Sequence, residues 1–237
     1  VIGLSVAGNV MNSSTSRIRE EFDRIALLSE AHPGAGNFYH RYLLGLLPPH
    51  CENALEIGCG TGEFTRLLAP RARSVIAVDL SPQMIRLAQQ QSATCSNIEY
   101  LTGDVMQLTL PGESFDCVVS IATLHHLPLN QALPKMKDAL KPGGVLIIHD
   151  LIADEGIAGL LKSALAYPVS VARRLWTTGR LRAPREVRRA WAEHAEGDVY
   201  LTLGEVKEMC AQFLPQARVE RHLLWRYTVV WQKDGAA

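Results

Sequence analysis

Glu56-Ile57-Gly58-Cys59-Gly60-Thr61-Gly62 is the densest chemical signal in the chain. It follows the apolar run Ala54 to Ile57 and opens a helical stretch at Glu63. Glycines at such a junction permit positive φ and let the backbone approach a ligand closely. The helix end beyond them presents free N–H groups. A dinucleotide fingerprint reads G-x-G-x-x-G and seats pyrophosphate there. Here the spacing is G-x-G-x-G with an acid in front, so a different ligand class is expected. A cationic amino-acid moiety facing Glu56 would replace the pyrophosphate. Asp79 closes a second apolar run, Ser74 to Val78, about 20 residues past the glycines, where an acid can accept both hydroxyls of a ribose. Asp104 follows Gly103 and a third run, Ile98 to Leu101, and is placed to accept from an adenine amino group. Leu140-Lys141-Pro142-Gly143-Gly144 stops a helix ahead of the run Val145 to Ile148.

Proton chemistry has three candidate groups. Leu124-His125-His126-Leu127-Pro128 follows the run Cys117 to Ile121. A histidine at a strand's carboxyl end sits where open α/β sheets bind ligands, and its ordinary pKa near ~6.5 suits a general base. His125 is the first choice by position, with His126 beside it. His194, after Trp191 and Glu193, is a further candidate base. Tyr39, Arg41 and Tyr42 either reach a ligand or rest on the core as one face of a short helix.

These groups need a scaffold. Short apolar runs alternating with helical stretches indicate strands buried on both faces of a parallel sheet. Right-handed crossovers then give a doubly wound α/β fold. Ser16 to Glu30 reads as a helix with Ile18, Phe22, Ile25 and Leu28 on one face. His32-Pro33-Gly34-Ala35-Gly36 breaks it, and Asn37 caps a second helix running to Leu47. Ser81-Pro82 starts a helix that continues to about Gln91. Ile152 to Val199 interrupts the alternation with helices. Thr202 with Glu205 forms a capping box for a last helix, and two strands follow, Arg218 to Leu224 and Tyr227 to Trp231. The expected organisation is N-terminal helices over 1–50, a ligand-binding core over 51–151, a helical cap over 152–199, and a final helix and hairpin over 200–237.

Composition narrows the class. The 237 residues are 47% hydrophobic, enough for one large domain with a substantial core. Lys+Arg and Asp+Glu both number 24, whereas nucleic-acid binders carry a basic excess to neutralise phosphates. No nucleic-acid partner is expected. Five scattered cysteines without a C-x-x-C pair argue against a disulfide framework or structural zinc and for a reducing cytoplasm. No transmembrane segment is expected, and Met11 is the expected natural start.

Together the four ligand signals resemble the class I S-adenosylmethionine-dependent methyltransferases. The likeness is strongest to the small-molecule group that includes the ubiquinone and menaquinone biosynthesis enzymes. It covers about Ala54 to Asp150, with Thr202 to Trp231 fitting the final helix and hairpin. The resemblance implies a Rossmann-like, mostly parallel sheet of about seven strands under a helical cap. It implies S-adenosylmethionine as methyl donor, S-adenosylhomocysteine as product and a small-molecule acceptor such as a quinone precursor. By the same resemblance Gly58, Gly60 and Gly62 line the donor's methionine portion, and Glu56 holds its amino group through backbone or water. Asp79 holds the ribose, Leu80 lies against the adenine, and Asp104 with the backbone of Val105 reads the adenine edge. Ser120 and Ile121 complete the pocket.

Absences refine this. Ser120 stands where a catechol-type magnesium site needs an acid, so no metal is expected. No N-P-P-Y-like or D-P-P-Y-like run follows that strand, which disfavours methylation of DNA-base amines. No Pro-Cys follows it, which disfavours cytosine C5 chemistry. Seven arginines between Arg173 and Arg189 face only Glu186. They form either a solvated face or an attractor for an anionic acceptor, a carrier protein or an anionic membrane beside Leu175 and Trp176. A protein or RNA methyltransferase, a regulator that only binds the donor, and a nucleotide-cofactor oxidoreductase remain the alternatives.

Overall fold

A computed structural model describes residues 5–6, 13–31, 38–153 and 156–235. A pair of residues, β1 (Ser5–Val6), precedes helix α1 (Ser13–Ala31) and the short α2 (His40–Leu44). The alternating core follows as β2 (Asn53–Ile57), α3 (Glu63–Leu68), β3 (Ser74–Asp79), α4 (Pro82–Gln91) and β4 (Ile98–Thr102). Next come β5 (Leu108–Thr109), β6 (Phe115–Ile121), α5 (Leu129–Ala139) and β7 (Leu140–Leu151). Two helices, α6 (Gly156–Thr178) and α7 (Arg185–Ala195), lead to α8 (Leu203–Phe213), β8 (Arg218–Arg221) and β9 (Arg226–Gln232).

Seven strands form one sheet in the order β4-β3-β2-β6-β7-β9-β8. The five from β4 to β7 run parallel, and β9 pairs antiparallel with both β7 and β8. Period-two alternation distributes their side chains to two buried faces. Leu55, Ile57, Ile76, Val78, Val118 and Leu146 pack with α5 and α8. Ala54, Val75, Cys117, Val119 and Ile147 pack with α2 and α3. The chain steps outward from β2 to β3 and β4, then returns to the other side of β2 for β6. That reversal places a crevice at the carboxyl ends of β2 and β6, where open α/β sheets take ligands.

Several expected elements differ in extent. The helix expected to run to Leu47 is one turn, His40–Leu44, and Asn37, the 32–36 breaker and Met11 lie outside the described residues. The Lys141-Pro142-Gly143-Gly144 stretch lies inside β7 rather than before it. A register irregularity between Phe115 and Cys117 accommodates it. The strand also extends to Leu151, which carries Asp150 to the crevice end. Both expected caps form: Ser81 accepts from Met84 N at 3.0 Å, and Thr202 and Glu205 cap α8 reciprocally. β1 pairs with β5 across Ser5–Thr109 and Val6–Leu108. Among the described residues no helix is long and apolar enough to cross a membrane.

Candidate active site

A cavity of about 1090 Å³ opens over the carboxyl ends of β2, β3, β4 and β6. Its roof is α1, whose Phe22, Ile25 and Leu28 pack with Met84 and Leu87 of α4 and with Ala190 of α7. The face of α1 legible as apolar periodicity is therefore both core and cavity wall, with Ile18, Phe22 and Ile25 on the lining.

One end of the cavity is the glycine turn. Gly58 has φ +76°, and a Cβ there would lie 1.9 Å from Thr123 Oγ1. Gly60 has φ +52° with nothing within 4 Å of a would-be Cβ, so its open side is available to a ligand. Both line the cavity, whereas Gly62 does not. A Cβ on Gly62 would come within 2.4 Å of the Tyr100 hydroxyl, so its place is close packing against β4. Asp79 lines the cavity and accepts from Gly60 N at 2.8 Å and Ser81 N at 2.9 Å. Burial pushes its carboxyl up to about 6 even though these backbone donors pull it down. An ionised carboxylate has about four lone-pair sites, so acceptor capacity remains for a pair of hydroxyls. Leu80, Asp104, Val105 and Ile121 also line the cavity. Asp104 accepts from Met106 N through Oδ1 at 2.8 Å, which fixes the side chain beside the third strand's end.

Two residues expected at this end are elsewhere. Glu56 is 2% exposed and off the cavity surface. The Thr65 hydroxyl donates to its Oε2 at 2.6 Å, which ties the strand end to α3. Burial pushes Glu56 up to about 8, which favours its neutral form. Ser120 is likewise buried beneath the surface, and its hydroxyl has no hydrogen-bond partner.

The other end is built by the turn after β6 and by α7. Thr123, His126, Leu127, Pro128 and Gln131 meet Phe22 and Trp191 there. Of the three candidate bases only His126 borders the cavity, and its Nε2 is buried without a partner. Burial, reinforced by His125, holds its imidazole down at about 4. His125, the first choice by position, turns away: its Nδ1 lies 2.7 Å from Asp150 Oδ1. His194 packs edge-on to Phe22, with Nδ1 2.8 Å from Glu21 Oε2, and is not on the lining. Tyr39, Arg41 and Tyr42 do not reach the cavity. Tyr39 instead accepts from Leu224 N, and Tyr42 bonds Glu220. Trp191, Thr123 and Gln131 were not singled out by sequence. Trp191 was read only as a neighbour of His194, and the aromatic bulk of an amphipathic α7 was the available signal.

Comparison with known proteins settles the class. A methyltransferase-domain family profile matches residues 55–148. An uncharacterized methyltransferase of Mycobacterium tuberculosis is 30% identical over 202 residues, covering 84% of this chain and 97% of that protein. The chain belongs to the class I S-adenosylmethionine-dependent methyltransferases. A demethylmenaquinone methyltransferase of Staphylococcus aureus is 34% identical over 98 residues, 40% of this methyltransferase and 41% of that one. An N-methyltransferase of Bradyrhizobium japonicum, solved with S-adenosyl-L-homocysteine, shares the fold at TM-score 0.55 and 19% identity. That likeness covers 94% of this chain and 99% of the other. The enzyme uses S-adenosylmethionine.

Proposed function

We propose that this methyltransferase moves a methyl group from S-adenosylmethionine to a small, largely apolar molecule held in the same cavity. The carrying observation is a two-ended cavity. Pockets for one drug-sized ligand occupy roughly 300–1,000 Å³, and this one measures about 1090 Å³. That leaves space for a second, compact reactant beyond the donor. The donor fits the glycine end: Gly60 is open, Asp79 offers carboxylate lone pairs to a ribose, and Asp104 with Val105 offers an edge to adenine. The acceptor end is mostly aromatic and apolar, with Thr123, His126 and Gln131 as its polar points.

The donor's sulfonium supplies an already electrophilic methyl group, so the protein's task is alignment. Holding two reactants in line contributes up to roughly 7–11 kcal/mol. Phe22 and Trp191, edge to face at 6.5 Å between ring centroids, form the wall that orients a planar acceptor. We assign no side-chain base, because the one bordering imidazole has its outer nitrogen buried. Ring substrates such as quinone precursors suit this end, in keeping with the menaquinone-directed relative. Helices α1 and α7, from the expected N-terminal and cap segments, act as the lid, and the five cysteines, all free, suit a reducing cytoplasm.

One surface favours a lipid-like acceptor over a freely soluble one. Trp176 is 91% exposed, beside Leu175 on α6, and the exposed Arg180, Arg182, Arg185 and Arg188 follow it. Aromatic and aliphatic side chains flanked by arginines suit peripheral contact with an anionic membrane.

The test is incubation with methyl-labelled S-adenosylmethionine and a cell extract, followed by separation by size. Label in the small-molecule fraction, lost with Asp79→Ala, is the expected result. Label confined to protein or RNA would overturn the acceptor class. Sedimentation with anionic but not neutral vesicles, reduced by Trp176→Ala, checks the membrane contact.

A further inference from the structure

We propose that His125, His126 and Asp198 bind a transition-metal dication of the zinc type in the wall behind the acceptor end of the cavity. The two histidines sit on the single 3₁₀ turn Leu124–His126, and Asp198 follows α7. Their ligand atoms all lie within 4.8 Å of one another. His125 Nε2 is 3.8 Å from Asp198 Oδ2, and His126 Nδ1 is 3.5 Å from Asp198 Oδ1. Side-chain exposures are 6% for His125, 10% for His126 and 6% for Asp198. These gaps are too long for good hydrogen bonds, and each runs to a different oxygen of Asp198. A tetrahedral ion at about 2.0–2.2 Å puts its ligands roughly 3.3–3.5 Å apart, so the three side chains would draw slightly together on an ion from a spacing within 4.8 Å.

The outer partners fix which nitrogen faces inward. Asp150 is buried and accepts from the backbone N–H groups of His125 and Leu151 at 3.0 and 2.7 Å. A carboxylate only accepts, so His125 donates to it through Nδ1 at 2.7 Å. The Nε2 of a neutral ring then carries a lone pair, and that lone pair faces another acceptor, Asp198. His194 repeats the pattern: Nδ1 is 2.8 Å from Glu21 Oε2, and Nε2 is 3.7 Å from Asp198 Oδ2. Among the described residues Asp198 itself accepts one hydrogen bond, from Tyr200 at 2.8 Å. A buried carboxylate with so few donors, facing the lone pairs of His125 and His194, is costly unless a cation joins them. Imidazole nitrogens oriented by carboxylates behind them are the usual second shell of a metal site. Two imidazoles and one carboxylate suit zinc or a similar ion better than magnesium or calcium, which take oxygen.

Such an ion would fasten the turn bearing His126, Leu127 and Pro128 to the end of α7. Trp191 of α7 forms part of the same lining, so the ion would set the width of the acceptor end. This assignment does not depend on which acceptor is used.

The experiment uses the full chain, supplied with Zn²⁺, desalted and measured for bound metal. Co²⁺ titration gives an independent visible absorption signal. One equivalent per chain, the ligand-field bands of a low-coordinate Co²⁺ site and a raised melting temperature on adding Zn²⁺ are expected. Asp198→Asn should lose the metal while keeping S-adenosylhomocysteine affinity, which verifies folding. If that variant fails to bind S-adenosylhomocysteine, His125→Asn replaces it with the same expectation. Asp150→Asn should weaken Zn²⁺ binding about 10–100-fold. Wild-type protein that binds S-adenosylhomocysteine yet takes up neither ion would overturn the site and leave protons as what joins the cluster. Uptake unchanged by Asp198→Asn and His125→Asn would equally overturn it.

Discussion

The two ends of the cavity are built by opposite strategies. At the donor end every group comes from a strand's carboxyl end or the turn after it: Gly58 and Gly60 after β2, Asp79 and Leu80 after β3, Asp104 and Val105 after β4. Parallel strands in register bring them together, and backbone bonds such as Gly60 N to Asp79 hold them. At the acceptor end the wall is assembled from distant pieces, with Phe22 of α1, the turn at Thr123 to Pro128, and Trp191 of α7. Side chains, not strand register, join these pieces: Phe22 touches His126, Trp191 and His194, and Glu21 holds His194. On the proposed assignment, a donor common to a whole family is gripped by the sheet, while the acceptor is framed by helices that can change without disturbing the sheet.

Substitutions should separate the two ends. The largest effect is expected from Asp79→Ala. Removing a charged acceptor of two hydroxyls and of two backbone N–H groups should weaken S-adenosylhomocysteine binding by about 100-fold or more, at roughly 1.5–3 kcal/mol per charged hydrogen bond. Isothermal titration reads this directly.

Gly58→Ala should follow. It adds a Cβ at φ +76° within 1.9 Å of Thr123, where the left-handed conformation alone costs about 1–2 kcal/mol. A melting temperature lowered by several degrees is expected, with Gly60→Ala milder because its Cβ meets nothing. Equal losses for the two would remove the steric part of the argument.

Trp191→Ala tests the opposite end. Loss of an aromatic wall, worth about 0.5–1.5 kcal/mol per aromatic pair, should raise KM for the acceptor up to about tenfold. S-adenosylhomocysteine affinity should stay unchanged in the same variant. A change in donor affinity instead would merge the two ends into one site.

The smallest effect concerns Glu56. Its carboxyl is raised to about 8 in the fold, so folding favours the protonated form. That stabilisation is fully present below the ordinary carboxylate pKa near ~4.3 and is lost as pH rises toward 8. Glu56→Gln should therefore flatten the decline in thermal stability between about pH 5 and pH 8 and leave the protein more stable than wild type at the upper limit. Asp79, raised to about 6, has the same sign over a lower window.

The contrast also explains what the sequence discloses. β2, β3, β4 and β6, with Asp79 and Asp104 at the ends of β3 and β4, were readable because each signal is local: an apolar run, then a turn or a polar residue. The inward turn of Glu56 was not legible, because identity and spacing do not reveal that Thr65 takes the carboxylate inward. His125 and His126 are adjacent in sequence and look equivalent. Asp150, delivered by a strand longer than its apolar run, turns one away and leaves the other at the cavity. Asp198 carried no signal at all. The role proposed for it comes from α7 packing against α1, and the sequence-based expectation of no metal rested on β6 ending in Ser120 rather than on that juxtaposition.

The most direct measurement is a crystal structure with S-adenosylhomocysteine bound. The ribose hydroxyls should meet the Asp79 carboxylate, the adenine should lie between Leu80 and Asp104, and the sulfur should point toward the space enclosed by Phe22, His126 and Trp191. A nucleoside lying instead between Phe22 and Trp191, with Asp79 untouched, would contradict the division of the cavity into donor and acceptor ends.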